Sequence, residues 1–164
     1  MNKVYKVFTS YAWTNPAHEL KVTELCERLM GDGIEVIFDK WDLKPGNDKY
    51  LFMEQCVNDT NIDKVLLICN KTYKEKADAR TGGVGDETTI ISQEVYSNNN
   101  QEKFIPIIFE KDDNDDAYVP TYVKSRIYID LSNDDVYEDG YEQLVRNIYE
   151  EPLNKKPARG KRPT

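Results

Sequence analysis

Apolar runs and amphipathic segments alternate along most of the chain. Five runs rich in β-branched and aromatic residues predict strands, at 3–9, 34–38, 64–69, 104–109 and 125–129. Hydrophobic residues spaced three and four apart predict helices between them, at about 17–30, 49–58 and 88–96, and a last helix from 134 onward. Strands that alternate with helices, and whose central members are apolar throughout, predict a parallel sheet covered by helices on both faces.

For five such strands we expect an α/β, flavodoxin-like three-layer sandwich with the strand order 2-1-3-4-5. Proteins of this architecture bind ligands beyond the carboxyl ends of their strands. The segments predicted there are expected to be loops, at 10–16, 39–48, 70–86 and 111–124. Pro106 lies inside the predicted fourth strand, which indicates an edge position or a bulge because proline has no N–H to donate.

Charge is unevenly distributed along the 164 residues. The net charge is −8, and five Lys and Arg within residues 152–164 leave −13 for the remainder. A body this acidic repels phosphate backbones, which argues against direct binding of nucleic acid by this domain. Residues 151–164 are basic, proline-rich and aperiodic, so we expect a domain over residues 1–150 and a linker that leads to a further C-terminal domain.

Cysteine and histidine content narrows the possible chemistry. Cys26, Cys56 and Cys69 are widely spaced within apolar patterns, which predicts small core residues of a cytoplasmic protein. His18 is the only histidine, which argues against a metal site, and in the first turn of a helix it is expected to be solvated or to cap that helix.

The longest apolar runs are too short to cross a bilayer. The GGVG run at 82–85 follows a long loop, which favours a flexible hinge over a phosphate site.

One stretch, Ile34 to Gly46, joins an apolar strand to a charged loop that contains Trp41. A large aromatic ring is worth most when it is buried or stacked, so its presence in a polar turn needs a reason. Either the loop forms the wall of a ligand crevice or a docking surface, or it is a solvated turn whose tryptophan covers the sheet edge. The stretch on its own favours the solvated turn.

Glu94 is the most informative charged residue of the third predicted helix, for which Asp86 or Thr88 could form the cap. At 100° per residue, Glu94 falls about 40° from Ile90, between Ile90 and Ile91 and inside the apolar arc. A buried carboxylate is costly unless it is paired or used, so Glu94 is a candidate for a functional site. The alternative is a glutamate at the helix margin that reaches solvent or pairs with a lysine or arginine.

Three short motifs then occur in the order expected for one known family. Val7 to Tyr11 (VFTSY) resembles the first box of Toll/interleukin-1 receptor (TIR) domains, and Asp39 to Gly46 (DKWDLKPG) resembles the second box with its BB loop. Phe104 to Ile107 (FIPI) resembles the V-P-I run of the fourth strand, which would explain Pro106. The D-x-W-D-L-x-P-G form is most similar to the bacterial TIR and SEFIR branch, and the resemblance spans about residues 3–149.

The resemblance implies the flavodoxin-like fold and, for many bacterial members, NAD glycohydrolase activity. Such an enzyme cleaves the nicotinamide–ribose bond of its substrate NAD+, and the products are nicotinamide and linear or cyclic ADP-ribose. The family's catalytic glutamate aligns with Glu94, whose implied role is to contact the ribose hydroxyls and stabilise an oxocarbenium-like transition state. One carboxylate can suffice because nicotinamide is a good, already cationic leaving group, unlike that of ordinary glycosides. No cofactor is implied.

The remaining site residues that the resemblance implies lie in two loops. The first-box loop, which lines the nucleotide pocket in the family, corresponds to Ser10, Tyr11, Ala12 and Trp13. The second is loop 39–48, which contributes Asp39, Trp41, Lys44 and Gly46. Each residue also has a purely structural alternative, such as capping, packing or permitting a turn. Many active members have a tryptophan where this sequence has Ile90, and Trp13 or Trp41 could supply the aromatic surface instead.

The resemblance also implies partners and a biological setting. Family members associate through the BB loop, so we expect self-association through residues 39–48 to precede NAD+ cleavage, and a sensor domain C-terminal to residue 164. The implied setting is abortive-infection defence of a bacterium against phage, in the cytoplasm and without a membrane. The alternative is a non-catalytic adaptor or scaffold that acts by homotypic interaction, which Ile90 favours. A nucleoside deoxyribosyltransferase-like enzyme shares the architecture and a catalytic glutamate, but the motifs match TIR domains better.

Overall fold

The computed structural model describes residues 3–79 and 90–164, and its centre is one parallel β-sheet. Five strands form this sheet, namely β1 (Lys6–Tyr11), β2 (Glu35–Ile37), β3 (Lys64–Cys69), β4 (Phe104–Ile108) and β5 (Ile129–Asp130). They lie in the order β2-β1-β3-β4-β5, and every pairing is parallel. The flavodoxin-like fold and its strand order are therefore confirmed.

Helices cover both faces of the sheet. In the described part of the chain they are α1 (Pro16–Gly31), α2 (Asp39–Asp42), α3 (Lys49–Asn58), α4 (Lys71–Ala79), α5 (Gln93–Ser97) and α6 (Asp134–Tyr149), with 3-10 turns at Gln101–Lys103 and Thr121–Val123. The bounds of α1, α3 and α6 agree with the sequence prediction. At each of their amino ends an Asn or Asp side chain accepts a hydrogen bond from a backbone N–H of the first turn, and these caps are Asn15, Asp48 and Asn133.

The sheet separates two apolar cores. On one face, Tyr11 of β1 packs among residues of α1 and α6. On the other face, Phe8 and Ala12 pack among residues of α3 and α4. Because successive side chains of a strand point to opposite faces, Ser10 lies on the α3 and α4 side and Tyr11 lies on the α1 side.

The three cysteines occupy these cores, as the sequence predicts. Cys26, Cys56 and Cys69 are buried and unpaired. Burial raises the pKa of the Cys56 thiol to about 11 and the pKa values of Cys26 and Cys69 to about 12. The thiols are therefore neutral at pH 7 and pack as small apolar groups.

The segment that follows β3 differs from its prediction. Residues 70–86 were expected to form a loop, but α4 occupies the first part of this segment. The Asn70 side chain caps α4, since its Oδ1 accepts a hydrogen bond from Tyr73 N at 2.8 Å. Only Tyr73 and Ala77 of this helix are buried, so its sequence carries little of the apolar periodicity that indicates a helix.

The third predicted helix, 88–96, begins later than expected. Ser92 caps α5 and accepts a hydrogen bond from Val95 N at 3.2 Å. Ile90 and Ile91 are fully buried, but they precede this cap and are not helical. Angles around a helix that are counted from Ile90 therefore do not describe the positions of residues in α5.

β4 lies between β3 and β5 and is an internal strand of the sheet. The prediction that Pro106 marks an edge strand or a bulge is therefore wrong. The predicted fifth strand, 125–129, overlaps β5 only at Ile129, because β5 begins there and pairs only with Ile107 and Ile108. Leu131 N donates to Ile108 O, and alternate residues of a strand face the same neighbour, so Pro106 also faces β5. The missing N–H of proline is thus directed to the side where β5 has not yet begun, and no ladder hydrogen bond is lost.

Several predictions lie beyond what the structure tests. The GGVG run at 82–85 and the helix caps at Asp86 or Thr88 lie outside the described residues. Residues 152–164 are exposed throughout, and their role as a linker stays a prediction. None of the helices that the structure describes combines the length and the apolar character needed to cross a membrane.

Candidate functional site

The loops at the carboxyl ends of β1 and β2 meet through a hydrogen bond. The hydroxyl of Tyr11, the last residue of β1, donates to Asp39 Oδ1 at 2.8 Å. Asp39 opens α2, a single helical turn at a place where the sequence predicted a plain loop. Burial raises the pKa of the Asp39 carboxyl above its ordinary value, against the opposing effect of the Tyr11 hydrogen bond. Two of the predicted site residues are therefore in direct contact.

Two further contacts hold α2 against the body of the domain. Lys40 Nζ lies 2.5 Å from Oε1 of Glu19, an α1 residue that is only 5% exposed. The contact between Lys40 and Glu19 is an ion pair, because Glu19 Oε1 makes no hydrogen bond of good geometry with any described residue. The backbone N–H of Phe38 donates to Asp42 Oδ2 at 2.9 Å. The turn is thus fixed through its first, second and fourth residues.

Trp41, the third residue of this turn, is left on the outside. Its side chain is 43% exposed, and its ring lies edge-on to Phe38 with the ring centroids 5.1 Å apart. Trp13, just beyond β1, is 55% exposed. Lys44 and Gly46 are exposed too, and Gly46 has a φ of 92°, which a residue with a Cβ adopts only with strain. All four of these predicted site residues are accessible to solvent.

Ser10 and Ala12 lie in the core and not on that surface. Ser10 Oγ lies 2.8 Å from the hydroxyl oxygen of Tyr73 on α4, and the same oxygen accepts a hydrogen bond from Ile91 N at 3.1 Å. The Tyr122 hydroxyl donates to Ile91 O. This series of hydrogen bonds fastens the segment before α5 to the carboxyl end of β1.

Glu94 lies in the first turn of α5 and is exposed, so the prediction that it occupies a buried arc is wrong. The error follows from the late start of α5, because the buried Ile90 and Ile91 belong to a non-helical segment. An exposed carboxylate is accessible to a ligand, but it carries none of the desolvation cost that pointed to a functional role. The catalytic role of Glu94 stays a prediction.

The structure brings together only part of the predicted set. Tyr11, Asp39 and Trp41 cluster on the α1 side of β1. Ser10 instead connects through Tyr73 to the segment before α5, on the opposite side. In residues 3–79 and 90–164, no hydrogen bond, ion pair or ring contact joins Glu94 to loop 39–48.

His18 is buried, contrary to the expectation that it is solvated or caps α1. Its ring packs edge-on against Phe109 with the centroids 5.8 Å apart. Asn70 Nδ2 lies 3.5 Å from the ring nitrogens of His18 and donates to Thr14 Oγ1 at 3.0 Å. Burial, and secondarily Lys21, lowers the pKa of His18, so the ring is neutral at pH 7. The cluster ties the loop that carries Trp13 to the end of β3.

Sequence reasoning missed three residues that support this region, Glu19, Tyr73 and Asn70. Glu19 carried a readable signal, since it lies three residues before Val22 and seven before Cys26, the spacing of one helix face. Tyr73 and Asn70 carried little signal because the segment around them is too polar to predict a helix.

A surface cavity of about 430 Å³ lies beside α5. Its lining consists of Ala77, Asp78, Gln93, Thr121 and Tyr122, and therefore does not include Glu94. The Asp78 carboxylate is occupied by Lys74 and by both the N–H and the hydroxyl of Thr121. Among the residues that the structure describes, no three His, Cys, Asp or Glu side chains are grouped so as to hold a metal ion.

Comparison with known proteins agrees with the fold and the three motifs. The five-stranded parallel sheet in the order β2-β1-β3-β4-β5, with helices on both faces, is a flavodoxin-like architecture. The chain belongs to the SEFIR domain family, whose model matches residues 5–142. The resemblance to the TIR and SEFIR branch is therefore confirmed.

Two solved structures are similar to the chain. The crystal structure of a prokaryotic SEFIR domain is 43% identical with a TM-score of 0.80, and the match covers 95% of this chain and 99% of that one. The TIR domain of the Toll-related receptor TRR-2 from Hydra magnipapillata is 18% identical with a TM-score of 0.63, over 89% of this chain and 99% of that one. The second likeness concerns the fold alone. No curated protein sequence matches the chain.

Proposed function

We propose that this SEFIR domain is a homotypic interaction module, in which copies of the chain associate through loop 39–48 together with Trp13. The observation that carries the proposal is a pair of exposed tryptophans, Trp13 at 55% and Trp41 at 43%, beyond the ends of two neighbouring strands. Exposed aromatic side chains on a fixed support are the residues that dominate binding energy in protein interfaces.

The support for this surface is rigid at its base. Tyr11 holds Asp39, and Glu19 holds Lys40, so the tryptophan between Lys40 and Asp42 is presented without a large loss of conformational freedom. Beyond the turn, Leu43 is half-buried and Lys44 to Asn47 are exposed, so the outer part of the loop can adapt to a partner. A fixed aromatic anchor beside an adaptable rim suits a self-complementary contact.

Net charge sets how this association depends on salt. The chain carries −8 overall, so two copies repel each other at long range. Because salt screens that repulsion over a Debye length of about 8 Å at physiological ionic strength, association driven by the aromatic surface should strengthen as salt is added.

Sedimentation velocity over a range of protein and salt concentrations tests the proposal. Trp41→Ala and Trp13→Ala should each weaken self-association by about tenfold or more, as hot-spot aromatics do. Ile127→Ala is the matched control, because Ile127 is 94% exposed and belongs to the segment just before β5, away from loop 39–48. Equal association of all three variants and wild type would refute the interface, and a strictly monomeric wild type would refute the function.

A second candidate function is NAD glycohydrolase activity in anti-phage defence, with Glu94 as the catalytic residue. One observation favours it: Ser10, Tyr73 and Ile91 fasten the segment before α5 to the carboxyl end of β1, the edge where ligands bind in this architecture. There the exposed Glu94 carboxylate could contact the ribose and stabilise the positive charge that develops as nicotinamide leaves.

Nicotinamide release from NAD+ distinguishes the two functions. The protein is tested in dilute solution and after clustering on beads or vesicles, beside Glu94→Ala and the control Glu75→Ala, an exposed glutamate of α4. Release that requires clustering and is lost only in Glu94→Ala supports the enzyme. Absence of release under every clustering condition leaves the interaction module as the function.

A further inference from the structure

Glu19 is a buried carboxylate of α1 that lies outside the surfaces assigned to both functions. It lies in the first turn of α1 and is 5% exposed, and its Oε1 contacts Lys40 Nζ at 2.5 Å. Lys40 approaches from solvent, with 42% of its side chain exposed. An acid placed this deep is costly unless a cation neutralises it, and Lys40 is the cation that the structure places against it.

The ion pair bears on the orientation of one side chain of α2, that of Trp41. α2 is too short to be stable by itself, because a single turn fixes several backbone torsions for one or two hydrogen bonds. Its side chains at Asp39, Lys40 and Asp42 each have a bonding partner, namely Tyr11, Glu19 and the Phe38 N–H. With those three side chains held, the ring of Trp41 packs edge-on against Phe38 and 43% of the residue stays exposed.

We propose that Glu19 is a positioning residue for the interaction surface: its ion pair with Lys40 holds the turn Asp39–Asp42 and thereby the outward orientation of Trp41. This inference rests on the proposed homotypic function for its consequence, but the positioning itself is a property of the single chain. Loss of either charge loosens the turn, increases the mobility of Trp41 and weakens self-association. Glu19 lies on α1 and not in loop 39–48, so a substitution outside the interface controls the contact.

Tryptophan fluorescence tests the positioning directly. The sequence has two tryptophans, so Trp13→Phe leaves Trp41 as a single reporter. In that background and in dilute solution, acrylamide quenching of Trp41 is compared for wild-type Glu19, Glu19→Gln, Lys40→Gln and the double variant. Lys74→Gln is the matched control, since it removes the same charge from another lysine–carboxylate pair, the 3.0 Å contact with Asp78 on α4.

The expected pattern is specific to the pair. Glu19→Gln and Lys40→Gln each raise the quenching constant of Trp41, the double variant is no worse than either single one, and Lys74→Gln has no effect. Lys40→Arg retains the low quenching of the parent. In chains that keep Trp13, the two neutralising variants weaken self-association by up to about fivefold, the upper range for partly exposed ion pairs. Thermal unfolding of each variant distinguishes local loosening from a general loss of the fold.

Two results would overturn the inference, and each is distinct from failure of the proposed function. Unchanged quenching in both single variants refutes the positioning, whatever happens to self-association. Increased quenching with unchanged self-association refutes the link between the turn and the interface. If the wild-type protein does not associate at all, the proposed function and the link both fail, and the quenching data alone decide whether Glu19 holds the turn.

Discussion

Tyr73 and Ser10 share a buried hydrogen bond of 2.8 Å although they lie 63 positions apart in the chain. The same Tyr73 oxygen accepts the N–H of Ile91 at 3.1 Å. One hydroxyl therefore joins β1, α4 and the segment that leads into α5. Because Glu94 is on α5, this contact governs where the candidate catalytic residue lies relative to the sheet.

Tyr73→Phe removes that hydroxyl and keeps the ring. We expect the free energy of unfolding to fall by roughly 2 kcal/mol, because the buried hydrogen bonds to Ser10 and Ile91 are lost and these partners stay desolvated. Urea denaturation measures the change. Tyr128→Phe, at a partly exposed tyrosine, is the control and should change stability by less than about 0.5 kcal/mol. Equal stability of the two variants would contradict a structural role for the Tyr73 hydroxyl.

Gly140→Ala should disrupt the contact between α6 and β5. A Cβ at Gly140 would lie 2.3 Å from Asp130 O and 2.7 Å from Leu131 Cδ2, so the helix has to move away from the strand. We expect a loss of about 3 kcal/mol, the upper range for overpacking. Gly31→Ala is the matched control in α1, where a Cβ meets no atom within 4 Å and alanine favours the helix by up to about 1 kcal/mol. Thermal unfolding should therefore shift in opposite directions for the two variants.

His18 should make stability fall as the pH drops below about 6.5, the ordinary pKa of histidine. Burial lowers the pKa of His18 in the folded chain, so the unfolded chain takes up a proton that the folded chain binds less readily. The groups that face His18 include Lys21, which also lowers its pKa, and Glu110 and Glu19, which raise it. Urea denaturation of the wild type and His18→Gln is compared between pH 8 and pH 5. The free energy of unfolding that His18 contributes should be lost only in the wild type as the pH falls. Parallel curves for the two proteins would refute the assignment.

Asp39→Asn should leave stability equal or higher at pH 7. Burial raises the pKa of Asp39, so its ionised form destabilises the folded state, and asparagine can still accept the Tyr11 hydroxyl. The stability advantage of Asp39→Asn over the wild type should disappear below the ordinary Asp pKa of about 3.9, where the wild-type carboxyl is protonated in both the folded and the unfolded chain. Denaturant titrations at pH 7 and pH 3.5 measure the difference.

Tyr11→Phe provides the opposite test of the same contact. It removes the donor and leaves a half-buried carboxylate with one fewer partner, so we expect a loss of roughly 1 to 2 kcal/mol at pH 7. If Tyr11→Phe is as stable as the wild type, the hydrogen bond does not hold the base of loop 39–48.

Much of the fold could be predicted from local pattern. The run at 64–69 is almost entirely apolar because β3 lies between two strands and under helices on both faces. A strand buried in this way favours apolar residues at successive positions. The helices α1 and α6 could be bounded because Asn15 and Asn133 cap them and apolar residues recur along one face. The motifs at 7–11, 39–46 and 104–107, in that order, were together enough to indicate the family.

The candidate site was predictable only in part, because the relevant facts depend on contacts that are distant in sequence. Whether Glu94 is buried depends on where α5 begins, and the cap at Ser92 sets that start at Gln93, five residues later than the predicted helix 88–96. Helix α4 forms on a largely polar sequence because Asn70 caps it and its two buried residues reach a core built by other elements.

The sequence by itself indicated the parallel sheet, because strands and helices follow from patterns that repeat within a few residues. The strand order followed from the architecture that this alternation favours, and the family from three short motifs. The tertiary structure alone decided that Trp41 faces solvent, that Glu19 is buried against Lys40 and that His18 is enclosed beside Phe109 and Asn70. The physical reason is that an ion pair, an edge-on ring or a buried imidazole requires groups from separate elements, whose meeting is fixed only when the helices pack on the sheet.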